Sequence, residues 1–147
     1  MINAVACTEI ESGEIYSNII NKFNKYSQEN NLDITLKLTL FTSDNSTVSF
    51  EDYESSLEYL FQMRSQKYDL IFYDSVLSIK YSNYLLNLKE WIPEKHFDEY
   101  VNGIASQSCV YNGKWVGLVI YIYILINKYI YIYIYCVCEC VYANKFY

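Results

Sequence analysis

The sequence lacks several features that would indicate a particular chemistry. It has no run of lysine and arginine that could follow a phosphate backbone, and 17 acidic against 11 basic side chains give a net charge of −6, so nucleic acid is not an expected partner. It also has no glycine-rich phosphate loop and no nucleophile elbow. We therefore expect no catalytic residues, no cofactor and no enzyme activity.

The sequence also lacks the spacing of cysteine and histidine residues that would indicate a metal site or a set of disulfides. Five cysteines are an odd number, and Cys136, Cys138 and Cys140 alternate as residues on one face of a strand do. Zinc ligand pairs usually have two or more residues between them, and His96 is the only histidine. The spacing therefore predicts no metal site, and no disulfide framework can be read from it.

The start of the chain carries no visible export signal, and the composition changes near its end. Met1 precedes an alternating apolar segment with neither a basic start nor a long apolar run. With 52% hydrophobic residues in 147, the chain can bury a core of about one domain. Residues 1–118 carry 16 acids and 9 bases, whereas residues 119–147 carry one acid and 2 bases, so two kinds of sequence meet near Leu118.

The apolar pattern of the first half predicts alternating strands and helices. Residues 2–7, 32–40 and 70–73 are strand-like, the second by strict alternation and the third as a continuous apolar run. Helical spacing lies between them, with buried faces formed by Tyr16, Ile19, Ile20 and Phe23 and then by Tyr53, Leu57, Leu60 and Phe61. The order β-α-β-α-β predicts an α/β fold with a parallel sheet.

The remaining elements up to Leu118 are short. We expect helical turns over residues 76–92, a helix over residues 94–106 that buries Phe97, Val101 and Ile104, and a tight hairpin at Asn112-Gly113. The polar segment between the second strand and the second helix contains Asn45-Ser46-Thr47. Because it is a loop, we expect Asn45 to be exposed and a candidate for glycosylation.

Several segments resemble the extracellular solute-binding proteins of carbohydrate importers, which have the type II periplasmic binding fold. Residues 68–74 (Tyr-Asp-Leu-Ile-Phe-Tyr-Asp) and 111–118 (Tyr-Asn-Gly-Lys-Trp-Val-Gly-Leu) carry the resemblance. In the family's order, residues 2–7 resemble its first strand, residues 23–26 (Phe-Asn-Lys-Tyr) its first helix, and residues 85–93 its leucine-rich segment before a proline. The resemblance implies that residues 1–118 form part of the amino-terminal lobe, in an extracellular or cell-surface protein.

The resemblance also implies a ligand and a set of site residues. In that family two lobes close over a sugar or another small solute, and loops after the first and third strands supply polar groups and an aromatic platform. By position these loops contain Thr8, Glu9 and Glu11, and Tyr73, Asp74 and Ser75. Carboxylates accept several hydrogen bonds from sugar hydroxyls, and an aromatic ring suits the C–H face of a sugar. Alternatively, Thr8, Glu11 and Asp74 only cap helices.

The resemblance stops at Val119, where the family has a proline. Residues 120–124 and 129–135 alternate Ile and Tyr, as alternating A and T encode through ATA and TAT, and Cys136-Val-Cys138 matches alternating T and G. We therefore expect residues 119–147 to be a translated intron or a gene-model error. Two alternatives stay open: a transmembrane helix over residues 116–135 in a small membrane-anchored interaction module, and an aggregation-prone edge strand.

Sequencing the transcript across the codon of Val119 tests the intron interpretation. Every valine codon begins with GT, the dinucleotide that opens most introns, so we expect a spliced transcript without the codons of residues 119–147. If every transcript retains those codons in frame, the interpretation is wrong.

Overall fold

The structure is a computed structural model with two compact units. The residues that it describes are 1–8, 14–42, 45, 50–101, 104–120, 124–126, 129–131 and 137–141. The first unit contains Met1–Phe72 and the second contains Tyr73–Val141.

The first unit alternates strands and helices. Its elements are β1 (Ile2–Thr8), α1 (Glu14–Glu29), β2 (Leu36–Thr42), α2 (Phe50–Gln62) and the start of β3 (Leu70–Asp74). β1 pairs in parallel with β2 along its whole length, and in parallel with β3 at Ala4 and Val5. The predicted α/β fold with a β-α-β-α-β start and a parallel sheet is confirmed.

The core of the first unit is built around β1. Ala4, Val5 and Ala6 are at most 1% exposed, as expected for a strand that has a partner on each side and side chains covered on both faces. The helices contribute the buried residues Tyr16, Ile20, Tyr53, Leu57 and Phe61. Burying one large apolar side chain stabilises a fold by about 1.5–3 kcal/mol, so these contacts hold the helices on the sheet.

β2 begins later than the alternation over residues 32–40 predicts. The Oγ atom of Ser27 donates to the carbonyl oxygen of Ile34 at 2.6 Å, which ties the chain to the end of α1. Asp33 has a φ angle of 53°, outside the extended region. The strand therefore starts only at Leu36, although the apolar alternation reaches further back.

The second unit begins within β3 and continues through short elements. They are two 3-10 turns (Ser75–Leu77 and Leu88–Glu90), α3 (Ser78–Tyr81), α4 (Glu94–Val101), α5 (Ile104–Ser108), β4 (Val110–Tyr111), β5 (Lys114–Trp115), β6 (Leu118–Ile120), β7 (Ile124–Ile126), β8 (Tyr129–Tyr131) and β9 (Val137–Val141). The helical turns after Asp74 are confirmed, and the helix predicted over residues 94–106 is present as α4 and α5. Phe97 is buried as predicted, whereas the side chains of Val101 and Ile104 lie outside the description.

The hairpin between β4 and β5 is also confirmed. Asn112 and Gly113 have φ angles of 49° and 76°, and positive φ at both central residues is what a type I′ turn requires. Trp115 packs against the ring of Phe97, with centroids 5.0 Å apart. Cys109, just before β4, is disulfide-bonded, a pairing that cysteine spacing did not reveal because the fold decides which thiols meet.

The described residues of the Ile/Tyr-rich segment (residues 119–147) lie in β-strands. β6 pairs antiparallel with β9, and β7 pairs antiparallel with β8. The alternative of a transmembrane helix over residues 116–135 is wrong at these positions, because Ile-Tyr alternation has the period and the β-branched and aromatic content of a strand. In the described parts of the chain, no helix combines the length and apolarity needed to cross a membrane.

Tyr53 provides a test of how α2 is held on the sheet. It is 3% exposed, and its hydroxyl lies 2.9 Å from the carbonyl oxygen of Phe72 and 3.3 Å from that of Val5. We expect Tyr53→Phe to lower the free energy of unfolding by about 1 kcal/mol because a buried hydrogen bond is lost. Urea denaturation measures the change. Tyr59→Phe is the matched control, since Tyr59 lies on the same helix and is 61% exposed. Equal losses in the two variants would contradict the assigned role.

Candidate functional site

The carboxyl ends of β1 and β2 bring polar groups together in the first unit. Thr8, which is half-buried, lies opposite Thr42 in the parallel register. The backbone N–H of Thr42 donates to Oδ1 of Asn45 at 2.9 Å, and the backbone N–H of Asn45 lies 3.3 Å from Oγ1 of Thr42. These three residues are neutral donors and acceptors of hydrogen bonds.

The loop after β1 is only partly described. Thr8 is the last residue of β1, while the predicted carboxylates Glu9 and Glu11 lie outside the described residues. The capping box between Thr8 and Glu11 therefore also lies outside the description. The described part of this segment contributes one hydroxyl group at the strand end.

Asn45 is exposed, as expected for a residue in a loop after β2. Its side chain is nonetheless held in place, because Nδ2 donates to the carbonyl oxygen of Leu40 at 2.9 Å while Oδ1 accepts from Thr42. Nδ2 is the atom to which an N-linked glycan attaches. Glycosylation would replace one of the two hydrogens on Nδ2 and leave one for the bond to Leu40.

Tyr73 is enclosed at the end of β3. It is 2% exposed, its hydroxyl donates to the carbonyl oxygen of Val116 at 3.3 Å, and it lies 3.5 Å from Oγ of Ser78. Its ring meets that of Tyr81 edge-on, with centroids 5.5 Å apart. These contacts anchor the end of β3 in the second unit, whereas a stacking platform needs an open ring face.

Asp74 and Ser75 follow Tyr73 and are both half-buried. Asp74 is the N-cap of the first 3-10 turn, and its Oδ1 accepts from the backbone N–H of Val76 at 3.1 Å. Its Oδ2 has no hydrogen-bond partner among the described residues. Because an ionised carboxylate has about four acceptor positions, the capping bond leaves Asp74 able to accept from a ligand hydroxyl.

A cleft that the sequence did not indicate lies along α2 in the first unit. It has a volume of about 490 Å³, and its lining includes Phe41, Asp52, Tyr59, Lys67 and Tyr68. The ammonium group of Lys67 lies 5.1 Å from the centre of the Tyr68 ring. None of the predicted site residues that the structure describes lines this cleft. No local motif marks it, because its residues come from separate strands, a helix and a loop.

The described residues contain no group of three or more His, Cys, Asp and Glu side chains that could hold a metal ion. His96 lies near the start of α4, and its side chain is outside the description, as are those of Cys136, Cys138 and Cys140. The polar groups that can be placed are therefore those of a hydrogen-bonding site.

Comparison with known proteins gives a result for the fold and none for the sequence. No protein-family model and no curated protein matches the chain. Among solved structures, the chain is similar to maltose-bound MalE3 of T. maritima, with a TM-score of 0.62 over 82% of this chain. The α/β fold of this chain is therefore similar to part of the fold of MalE3. At 13% identity the likeness concerns the fold alone, and the chain spans 28% of the length of MalE3.

Asp74 can be tested as a cap separately from any ligand. We expect Asp74→Ala to lower the free energy of unfolding by about 1 kcal/mol, because the backbone N–H of Val76 loses its acceptor. Asp74→Asn keeps an oxygen at the capping position, so its loss should be at most about half as large. Thermal or urea denaturation of both variants measures the difference. Equal stability of Asp74→Ala and the wild type would remove the capping role.

Proposed function

We propose that this chain is a non-catalytic lobe that binds a small solute, with carbohydrate as the ligand class. The observation that carries this proposal is the likeness of its fold to a protein solved with maltose bound. Open parallel sheets bind ligands beyond the carboxyl ends of their strands, and Thr8 and Asp74 are the last residues of β1 and β3. Solute binding needs these groups and no reactive centre.

The residues proposed to contact the solute come from two segments. After β1 they are Thr8, Glu9 and Glu11, and after β3 they are Asp74 and Ser75. Tyr73, which the family resemblance implies as the aromatic platform, is 2% exposed and is not included. Asp74 has the best support, because its Oδ2 has no partner among the described residues while Oδ1 caps the 3-10 turn. A carboxylate held in this way is already oriented, so little side-chain entropy is lost when a sugar hydroxyl donates to it.

The affinity of this chain for a sugar should be low. A two-lobed receptor removes both faces of its ligand from water, whereas one lobe leaves one face hydrated and keeps only part of the hydrogen bonds and stacking. The chain spans 28% of the length of MalE3, so the activity of a whole two-lobed receptor is not assigned to it. We infer that residues 1–118 form the binding lobe and that residues 119–147 are foreign to it.

The same resemblance supports an extracellular or cell-surface location. An exposed Asn45 in the sequence Asn45-Ser46-Thr47 fits a protein that passes through a eukaryotic secretory route. We include Asn45 in the proposal as a glycosylation site, at which modification would leave one hydrogen on Nδ2 for the bond to Leu40.

Titration of the full chain with a panel of mono- and oligosaccharides tests the proposal. We expect at least one sugar to bind with a Kd of roughly 1 mM, equivalent to about −4 kcal/mol. Chemical-shift changes followed by NMR measure binding in this range. Asp74→Asn, which keeps the cap but loses the charge, should weaken binding about tenfold, as expected for a charge-assisted hydrogen bond.

The matched control is Asp69→Asn, since Asp69 precedes β3 and lies at the other end of that strand from Asp74. Its effect on sugar affinity should be small. No response to any sugar in the panel would contradict carbohydrate binding, and equal effects of the two variants would remove Asp74 from the site.

A further inference from the structure

β2 is an edge strand in the described part of the chain, where it pairs only with β1. The carbonyl oxygen of Thr35 accepts from the backbone N–H of Ile2 at 2.8 Å, so the backbone groups of Thr35 are directed toward β1. In a parallel pair the backbone groups of alternate residues face opposite sides. Four residues therefore direct their N–H and C=O groups away from β1: Leu36, Leu38, Leu40 and Thr42.

The first of these residues is closed by a side chain from α1. Nδ2 of Asn24 donates to the carbonyl oxygen of Leu36 at 2.9 Å, and the backbone N–H of Leu36 donates to Oδ1 of Asn24 at 2.8 Å. A residue in an antiparallel neighbouring strand would exchange this same pair of bonds with Leu36. The carboxamide of Asn24 thus replaces one residue of a strand.

The other end of the edge is closed by Asn45. Its Nδ2 donates to the carbonyl oxygen of Leu40 at 2.9 Å, and its Oδ1 accepts from the backbone N–H of Thr42 at 2.9 Å. Bonds to the C=O of one residue and the N–H of the second residue after it are those that a parallel neighbouring strand makes. Between the two asparagines, the outward groups that no described residue pairs with are the N–H and C=O of Leu38 and the N–H of Leu40.

We propose that Asn24 and Asn45 act as side-chain substitutes for a strand and that they close the outer edge of β2 to a second copy of this chain. Three consecutive open backbone groups are too short a stretch to support stable strand pairing. Without the two carboxamides, the outward groups of Leu36, Leu38 and Leu40 and the N–H of Thr42 become available, and an edge rich in β-forming residues is a template for another strand.

A second copy is the fitting partner because β2 is complementary to itself. In an antiparallel pair centred on Leu38, Leu36 faces Leu40 of the other copy and Lys37 faces Thr39. The one charged residue of β2 therefore never opposes its equivalent, so the pair has no like-charge repulsion. The outward N–H and C=O groups of Leu36, Leu38 and Leu40 can each pair with an outward C=O and N–H group of the second copy.

The test compares the unglycosylated full chain with Asn24→Ala/Asn45→Ala. Asn30→Ala is the matched control, because Nδ2 of Asn30 donates to the carbonyl oxygen of Tyr26 at 2.8 Å on α1 and not to β2. Hydrogen exchange at individual amides and sedimentation are measured at low and high protein concentration. At low concentration we expect the amides of Leu36 and Thr42 to exchange about tenfold faster in the double variant than in the control.

The dependence on protein concentration then tests whether β2 pairs with β2 of a second copy. In the double variant, higher concentration should protect the amide of Leu38 and increase the dimer fraction, with no such change in the wild type or the control. Adding Leu38→Pro to the double variant should abolish this dimer, because proline removes the central outward N–H and is tolerated on a solvent-facing edge. This third variant separates pairing at β2 from association through the Ile/Tyr-rich strands.

Three results would overturn the proposal. They are a Leu38 amide in the double variant that does not respond to concentration, a dimer that persists with Leu38→Pro, and a wild type that already pairs through Leu38. If the double variant loses its native circular dichroism, Asn45→Ala alone decides, because it keeps both bonds from Asn24. In that variant the Thr42 amide must lose protection and association must exceed that of the wild type; no change in either overturns the proposal.

Discussion

The parallel pairing of β1 is the constraint on which the rest of the first unit depends. Because β1 has a strand on each side in the same direction, the connections must cross over the sheet, and α1 and α2 are those connections. The helices cover the sheet, which explains why Ala4, Val5 and Ala6 have almost no exposed surface. The same geometry places the carboxyl ends of β1 and β2 side by side. Thr8 and Thr42 are therefore neighbours, and these polar side chains lie at the same end of the sheet.

At Asp74, the structural and the functional interpretation are compatible. Capping uses one carboxylate oxygen, and the hydrogen bond to the backbone N–H of Val76 fixes the side chain. The second oxygen lies on a group that is half-buried and already ordered. A cap can thus pre-orient a ligand-binding group, which reduces the entropy lost on binding. Tyr73 differs, because its hydroxyl and its ring are both used in contacts within the second unit.

Local periodicity was sufficient to predict the elements but not their long-range partners. The strict alternation of β2, the helical spacing around Tyr53 and the Asn112-Gly113 turn are each determined by neighbours in sequence, and the structure contains all three. The late start of β2 was missed because it depends on the bond from Ser27 to Ile34 across the turn. The hydrogen bond of the Tyr73 hydroxyl could not be predicted because its partner Val116 is distant in sequence.

Asn45 shows how one side chain at a sheet edge can meet several requirements. Its carboxamide fills two backbone positions of β2, yet Asn45 is exposed and begins the sequence Asn45-Ser46-Thr47. A glycan on Nδ2 would replace one of the two hydrogens, so that one remains for the bond to Leu40, while Oδ1 still accepts from Thr42. It would also place a large, hydrated group beside the same strand, where another chain could no longer approach. Because the unmodified carboxamide occupies the edge with hydrogen bonds and the glycan would occupy it with volume, β2 remains shielded at this end in either form.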